Sequence, residues 1–373
     1  KGDIRWILDQ AALLHPDICS HEATPPDVAW AKMDLMTFYA HHLKALIRKE
    51  LGQRELPLSG MKILVDAGNG AGGFYATEVL EPLGADITGS CYLEPDGTFP
   101  HHPPNPEDEE AMSHVCNQVI IHQSDLGLIF DTDVDRIGAV DSAGREIARN
   151  RIVALASVLA AEKSPGTTIV TDSITSTQLH HFLETHLDLT HHRFQRGYRN
   201  VINEAIRLNQ AGIDSQLAIE TSGHAAFKDN YFLDDGAYLA TLIVIKAARL
   251  KKEGSSIQSL LSGLMDPAEA MEIRFPIQGE DFASLGDQVL QDLSQWIENL
   301  RDSQVQLVVP NYEGVRVNLG ESYGNGWFLL RKSLHDPILP LNMESNQSGG
   351  VQQIREFLKP FLGKYDFLNI KDL

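Results

Sequence analysis

Cysteine is scarce in this chain: Cys19, Cys91 and Cys116 are the only three in 373 residues. So few and so scattered, they offer neither a disulfide framework nor a zinc site, and a reducing intracellular compartment, cytoplasmic or plastid, is the default expectation. No apolar run approaches the ~20 residues of a membrane span. The best candidate, residues 152–161, reads as the face of a short helix. Positive charge is also short, with 31 Lys and Arg against 51 Asp and Glu and a net charge of −20. That balance argues against nucleic acid or an anionic membrane as the main partner. Internal repeats and low-complexity tracts are missing as well. The chain opens Lys1-Gly2-Asp3-Ile4 without an initiator methionine, as expected of a processed or partial protein whose leader lies outside the sequence.

What is present is ordinary globular composition, 43% hydrophobic and 22% charged. This length suggests two to four domains by the usual ~100–200 residues per domain. The strongest local signal is residues 126–140, an apolar β-type run followed by Asp131-Thr132-Asp133-Val134-Asp135-Arg136. Carboxylates two apart share one side of an extended segment and can converge on a cation if the chain loops round it. Oxygen-only ligands suit a hard ion such as Mg2+, which usually arrives with phosphate.

In chain order, residues 1–55 read as a helical arm, with helical spacing over 4–14 and 28–51. Residues 56–148 alternate strand and helix: a strand over 62–66, a glycine-rich turn, a helix to residue 83, a strand over 86–89, a proline-rich irregular stretch over 95–106, a helix over 107–122 and the aspartate strand. Residues 149–268 repeat that logic, with strands at 168–172, 192–194 and 216–220 among helices. From 269 to 373, grouped strands flanked by helices suggest a smaller α+β domain. The expected class is α/β, with two successive mixed or parallel sheets covered by helices and then the α+β unit.

Several motifs admit more than one chemistry. An EF-hand needs Gly at Arg136 and Glu at Ser142, which excludes that calcium loop. Ile129-Phe130-Asp131-Thr132-Asp133-Val134 resembles the nucleophile motif of haloacid-dehalogenase-type phosphatases, and Thr171, Lys228 and the Asp234-Asp235 pair resemble its later motifs. In that reading Asp131 attacks phosphorus. Gly68-Asn69-Gly70-Ala71-Gly72-Gly73 fits a dinucleotide fingerprint literally, but that pattern alone is weak and a tight strand-to-helix turn with close helix packing is the favoured reading. Glu220-Thr221-Ser222-Gly223-His224 follows an apolar strand, where α/β proteins bind ligands. Its carboxylate, hydroxyl and imidazole can bond sugar hydroxyls, and His224 can move a proton at neutral pH. The histidine pairs 101–102, 180–181 and 191–192 lack a recurring third ligand and read as surface or turn residues.

Taken together, the motifs resemble the α-D-phosphohexomutases over about residues 60–345. Asp131 to Arg136 looks like the metal loop of that family, Glu220 to His224 like its sugar loop, and Arg196-Gly197-Tyr198-Arg199-Asn200 like its specificity loop. Residues 65–73 and 99–107 resemble two further segments. The resemblance implies reversible transfer of phosphate between C1 and C6 of glucose or mannose, through a phosphoserine and a bisphosphate, with Mg2+ on Asp131, Asp133 and Asp135. It also implies Arg136 beside the phosphoserine, His224 as a catalytic group, and substrate contacts from Gly197, Tyr198, Arg199, Glu220, Ser222 and His224. Arg196 and Lys228 are further basic candidates for the cleft.

Two departures qualify that implication. The serine loop of the family is not matched by Ser20-His21-Glu22-Ala23-Thr24-Pro25, so a serine outside this chain and an inactive isolated chain are expected. Arg331-Lys332-Ser333-Leu334-His335 stands in place of the distal phosphate loop, leaving Arg331, Ser333 and His335 as donors. A phosphatase and a non-catalytic sugar-phosphate-binding homologue remain the alternatives. A hexose phosphate partner and a monomer or dimer complete the expectation.

Overall fold

The computed structural model describes residues 2–20, 31–52, 55–279, 281–333 and 336–373. Residues 1–39 and 40–373 form separate compact units. The first holds α1 (Gly2–Ser20), whose Ile4, Trp6, Leu8 and Leu13 are exposed, and the start of α2 (Leu35–Glu50). Asp34 accepts the Thr37 amide at 3.1 Å, so α2 begins there rather than at residue 28, and residues 28–30 lie outside the described ones.

Three sheets make up residues 40–373. The first comprises β1 (Ile63–Asp66), a helical stretch over residues 75–83, α3 (Glu109–His122), β2 (Leu126–Phe130), β3 (Ile137–Asp141) and β4 (Glu146–Ile147). Its strand order is β1-β2-β3-β4, with β1 and β2 parallel and the rest antiparallel. All five β2 residues are buried, as a strand covered on both faces requires. Met112, Val115 and Val119 of α3 pack on Leu64, Ile129 and Val140. The expected strand over 86–89 is a broken edge, carrying only single bridges from Lys62 to Asp86 and from Asp66 to Cys91. Asp86 turns back to accept the Thr88 amide, and that local bond competes with a ladder.

The second sheet follows with α4 (Asn150–Lys163), β5 (Thr168–Thr171), α5 (Thr177–His181), β6 (Thr190–Arg193), α6 (Tyr198–Gln210), β7 (Ser215–Ile219), β8 (Ala225–Phe227), α7 (Gly236–Lys252) and α8 (Ile257–Leu260). The order is β6-β5-β7-β8, parallel except for β8. The third is antiparallel throughout, ordered β10-β11-β12-β13-β9, from β9 (Glu269–Pro276), α9 (Phe282–Leu300), β10 (Val305–Leu307), β11 (Val315–Leu319), β12 (Gly326–Leu330), β13 (Ile338–Ser345) and α10 (Gly350–Leu362). Phe275, Phe328, Leu341, Ile354 and Leu358 centre its core. The two α/β sheets and the α+β unit agree with the sequence reading. The second and third sheets are joined by Arg316, 2% exposed, which donates to the Ser173 and Thr175 carbonyls at 2.7 and 2.9 Å. Its guanidinium lies 3.7 Å from the centre of the Trp327 ring. No helix of the described residues is long and apolar enough to cross a membrane.

Candidate active site

β2 delivers Asp131 to a buried position, where Oδ1 accepts the Val134 and Arg136 amides at 3.0 and 3.1 Å. The chain thus folds round this carboxylate. The loop needs Val134 at φ 72°, an uncommon and strained conformation for a β-branched residue. Arg136 Nε donates to Asp131 Oδ2 at 2.9 Å, and Nη1 donates to Asn105 Oδ1 at 3.0 Å. The guanidinium is therefore locked between the acidic loop and the proline-rich segment.

Asp131, Asp133 and Asp135 bring one oxygen each within 4.8 Å of the others. Asp135 Oδ1 is buried without a hydrogen-bond partner. Burial, then the hydrogen bond and charge of Asp131, push the Asp135 carboxyl up to about 7. An all-oxygen set with an unsatisfied buried acceptor fits a hard cation.

The glycine-rich turn cradles this loop and not a nucleotide. Ala71 N donates to Thr132 O at 2.8 Å, and a side chain at Gly70 would stand 2.7 Å from that same oxygen. At Gly73 it would stand 1.9 Å from Leu93 O. Protein backbone fills the space, so the tight-turn reading holds.

The loop after β7 meets the acidic loop from the second sheet. Ile137 N donates to Gly223 O at 3.4 Å, and Arg136 and His224 form a single antiparallel bridge. Asp172 supports this loop from beneath by accepting the Thr221 amide and hydroxyl at 3.1 and 2.7 Å. His224 Nδ1 lies 2.8 Å from Asp234 Oδ2 and 3.5 Å from Asp135 Oδ2, with Tyr198 stacked on its ring. Burial works against the imidazolium, but the hydrogen bond and charge of Asp234, with Asp135 and Glu220, raise His224 above its ordinary value. Glu220 Oε1 accepts the Gly197 amide at 2.6 Å, joining the loop after β7 to the loop before α6. Burial and then the Asp172 charge push Glu220 up to about 7. Ser222 Oγ is buried and unpartnered.

The loop before α6 sets Gly197 at φ 115° and leaves Tyr198 and Arg199 exposed, with the Arg199 guanidinium 5.8 Å from the Tyr198 ring centre. Arg196 is half-buried, and its amide donates to Glu313 Oε2 at 3.2 Å. Arg331 has a buried, unpartnered Nε, and burial lowers its guanidinium below the usual range. Ser333 Oγ accepts the Asp336 amide at 3.2 Å, and His335 lies outside the described residues.

Other expectations are revised. Lys228 is not part of the cleft: its amine pairs with Asp214 at 3.0 Å. Thr171 bonds His191 at 2.8 Å, so neither Thr171 nor Lys228 of the phosphatase motifs is engaged with the acidic loop, whereas Asp234 of the last motif stands beside it through His224. The histidine pairs are not merely surface residues. His102 is buried against Asp66 at 3.1 Å, and His192 pairs with Glu204 at 2.9 Å. A cavity of about 420 Å³ between the three sheets is lined by Glu107, Arg149, Arg196, Thr221, Glu272 and Arg274, among others. Arg149 and Arg274 went unnoticed because an isolated arginine carries no pattern. Arg149 stands at φ 53°, ψ −127°, an outlier that marks it in the structure alone.

Fold and loops together define the α-D-phosphohexomutase superfamily. The phosphoglucomutase/phosphomannomutase alpha/beta/alpha domain II model matches residues 37–144, and the domain III model matches residues 149–268. The chain belongs to the phosphoglucomutase/phosphomannomutase family. It is similar to a phosphomannomutase/phosphoglucomutase of Pseudomonas putida, 29% identical over 304 residues, which is 80% of this chain and 60% of that protein. A phosphoglucomutase of Neisseria meningitidis is likewise 29% identical over 307 residues, 80% of this chain and 60% of its own length. The chain thus spans about 60% of the length of these curated relatives. A phosphoglucomutase/phosphomannomutase family protein of Burkholderia thailandensis shares the fold with a TM-score of 0.70 at 24% identity, over 95% of this chain and 70% of that one. So does N-acetylphosphoglucosamine mutase of Aspergillus fumigatus, solved with GlcNAc-6P and magnesium, with a TM-score of 0.55 at 14% identity over 87% and 69%.

Proposed function

We propose that this chain forms the metal and sugar side of a phosphohexomutase that interconverts the 1- and 6-phosphates of glucose or mannose. The observation that carries the reading is the seam between two loops, where His224 reaches the Asp135 carboxylate at 3.5 Å. A cation on the acidic loop would then stand beside a sugar on the Glu220 loop. Relatives named for phosphoglucose and phosphomannose support those hexoses.

In this reading Asp131, Asp133 and Asp135 hold Mg2+, which when bound offsets charge on a phosphoryl group in transfer. Arg136, fixed by Asp131 and Asn105, presents its remaining N–H donors to the same phosphoryl oxygens. The phosphoryl donor is a serine outside these 373 residues, and transfer passes through a hexose bisphosphate that turns round. Glu220 and Ser222 hold sugar hydroxyls, and the unsatisfied Ser222 Oγ matches that task. His224 donates its Nδ1 proton to Asp234, leaving Nε2 to exchange a proton with the attacking or leaving hydroxyl. Gly197, Tyr198 and Arg199 shape the sugar pocket, and Arg331 grips the distal phosphate, with Ser333 and His335 as further candidate donors. The three sheets act as separate domains, 56–148, 149–268 and 269–373, closing on the substrate.

The test is an isomerase assay of the protein at its native length with glucose 1-phosphate, then mannose 1-phosphate, plus a trace of the matching bisphosphate and Mg2+. A 6-phosphate product from either is expected. No product from both would overturn the proposal.

A further inference from the structure

Asp66, Cys91 and His114 are far apart in sequence, yet each brings a ligand-type atom within 4.8 Å of the other two. Three separate segments supply them. Asp66 ends β1, Cys91 lies on the broken edge beside it, and His114 sits in the second turn of α3. Cys91 Sγ stands 3.7 Å from His114 Nε2. Tetrahedral zinc, with bonds of about 2.3 Å to sulfur and 2.0 Å to nitrogen, sets its sulfur and nitrogen ligands about 3.5 Å apart. The observed spacing is therefore close to one edge of a zinc polyhedron before any ion enters.

The surroundings suit an ion. Asp66 is fully buried. Its Oδ1 accepts the Gly68 amide at 2.8 Å and its Oδ2 faces His102 Nε2 at 3.1 Å, which leaves lone pairs for a further ligand. His102 Nδ1 lies 2.9 Å from the Pro103 carbonyl, so both of its nitrogens face acceptors and it orients Asp66 as an outer partner. Tyr92 stacks on His101 at 4.0 Å and borders His102 and His114 at 5.4 Å each, roofing the cluster.

We propose that Asp66, Cys91 and His114 form a second metal site for a borderline divalent cation of the zinc type, with His102 as its positioning residue. It shares no ligand with the acidic loop. One carboxylate, one thiolate and one imidazole select a softer ion than three carboxylates do. On binding, the Cys91 S–H bond breaks, a sulfur–metal bond forms, and the proton leaves to buffer. Three protein ligands leave a fourth position for water. The sequence reading dismissed zinc because the cysteines are scattered. The fold supplies the convergence that spacing hides.

The test is titration of the metal-stripped, reduced chain with Co2+, a coloured probe of zinc sites, followed by absorbance. One equivalent is expected to give a thiolate-to-cobalt charge-transfer band that Zn2+ then bleaches, since zinc binds more tightly. Cys91→Ser abolishes the band, while Asp133→Asn keeps it. His114→Ala weakens binding at least tenfold and His102→Gln about 10–100-fold, read by competition with a chelating dye. Circular dichroism confirms that each variant is folded. No band in the wild-type chain at one equivalent, or a band that survives Cys91→Ser, overturns the proposal, and neither depends on mutase activity.

Discussion

The His224 imidazole lies 3.5 Å from the Asp135 carboxylate, across the seam between the loop after β2 and the loop after β7. Each loop comes from a different sheet, and a backbone bond from Ile137 N to Gly223 O closes the seam. Metal affinity and sugar affinity are therefore expected to be coupled, and variants on either side inform on the other.

Gly223 is the tightest point of that seam. It has φ 98°, and a side chain there would meet Ile137 O at 2.5 Å. Gly223→Ala is expected to cost about 1–3 kcal/mol in strain. It should also weaken glucose 1-phosphate binding at least tenfold by pushing the sugar loop off β3. Calorimetric titration checks the second effect, and unchanged affinity would contradict the seam.

How much of this was legible beforehand differs from loop to loop. Asp131 to Asp135 announced itself because an apolar strand must be followed by something, and three carboxylates in register are conspicuous. The Glu220 loop was legible for the same reason. The α/β alternation also followed from strand and helix periods, although β4 and β8, at two and three residues, were too short to show a period. What stayed hidden depends on tertiary approach. Nothing in the sequence pairs His102 with Asp66, which lie on separate segments, or seats Arg316 over Trp327, which meet only because β11 and β12 pair in that register. The glycine-rich turn reads as a tight turn, but only the fold shows that Thr132 and Leu93 are what Gly70 and Gly73 make room for.

Arg316 tests the joint between the second and third sheets. Its removal leaves the Ser173 and Thr175 carbonyls without their charged donor and uncovers Trp327. Arg316→Ala is expected to lower stability by about 3 kcal/mol, since bonds to charged groups contribute roughly 1.5–3 kcal/mol and a buried partner is left unpaired. Urea unfolding measures this. Arg316→Lys should recover only part, because an ammonium cannot reach two carbonyls and stack on the ring.

Glu344 gives a pH signature to the same region. It accepts the Trp327 indole N–H at 2.8 Å, and burial pushes its carboxyl up to about 7. A carboxyl raised in the folded state favours the protonated form. Its contribution is thus fully present below the unfolded value near 4.3 and is lost as pH rises through about 7. Between pH 5 and pH 8 the wild-type chain should lose about 1–3 kcal/mol that Glu344→Gln does not. Unfolding midpoints of both proteins across that range decide it, and parallel pH curves would contradict the assignment.

The acidic loop should bind one hard divalent ion. Asp133→Asn and Asp135→Asn are each expected to weaken Mn2+ binding at least tenfold, with little change in the unfolding midpoint for the more exposed Asp133. Electron paramagnetic resonance of free Mn2+ reads the affinity.

The central claim is that this ion and the sugar phosphate occupy one site. Phosphorus-31 relaxation of glucose 1-phosphate, measured with Mn2+ on the chain, tests it most directly. The account predicts strong paramagnetic broadening of the phosphate signal, lost in Asp133→Asn and in Glu220→Gln. Sugar phosphate that binds without broadening while Mn2+ stays on the acidic loop would contradict it.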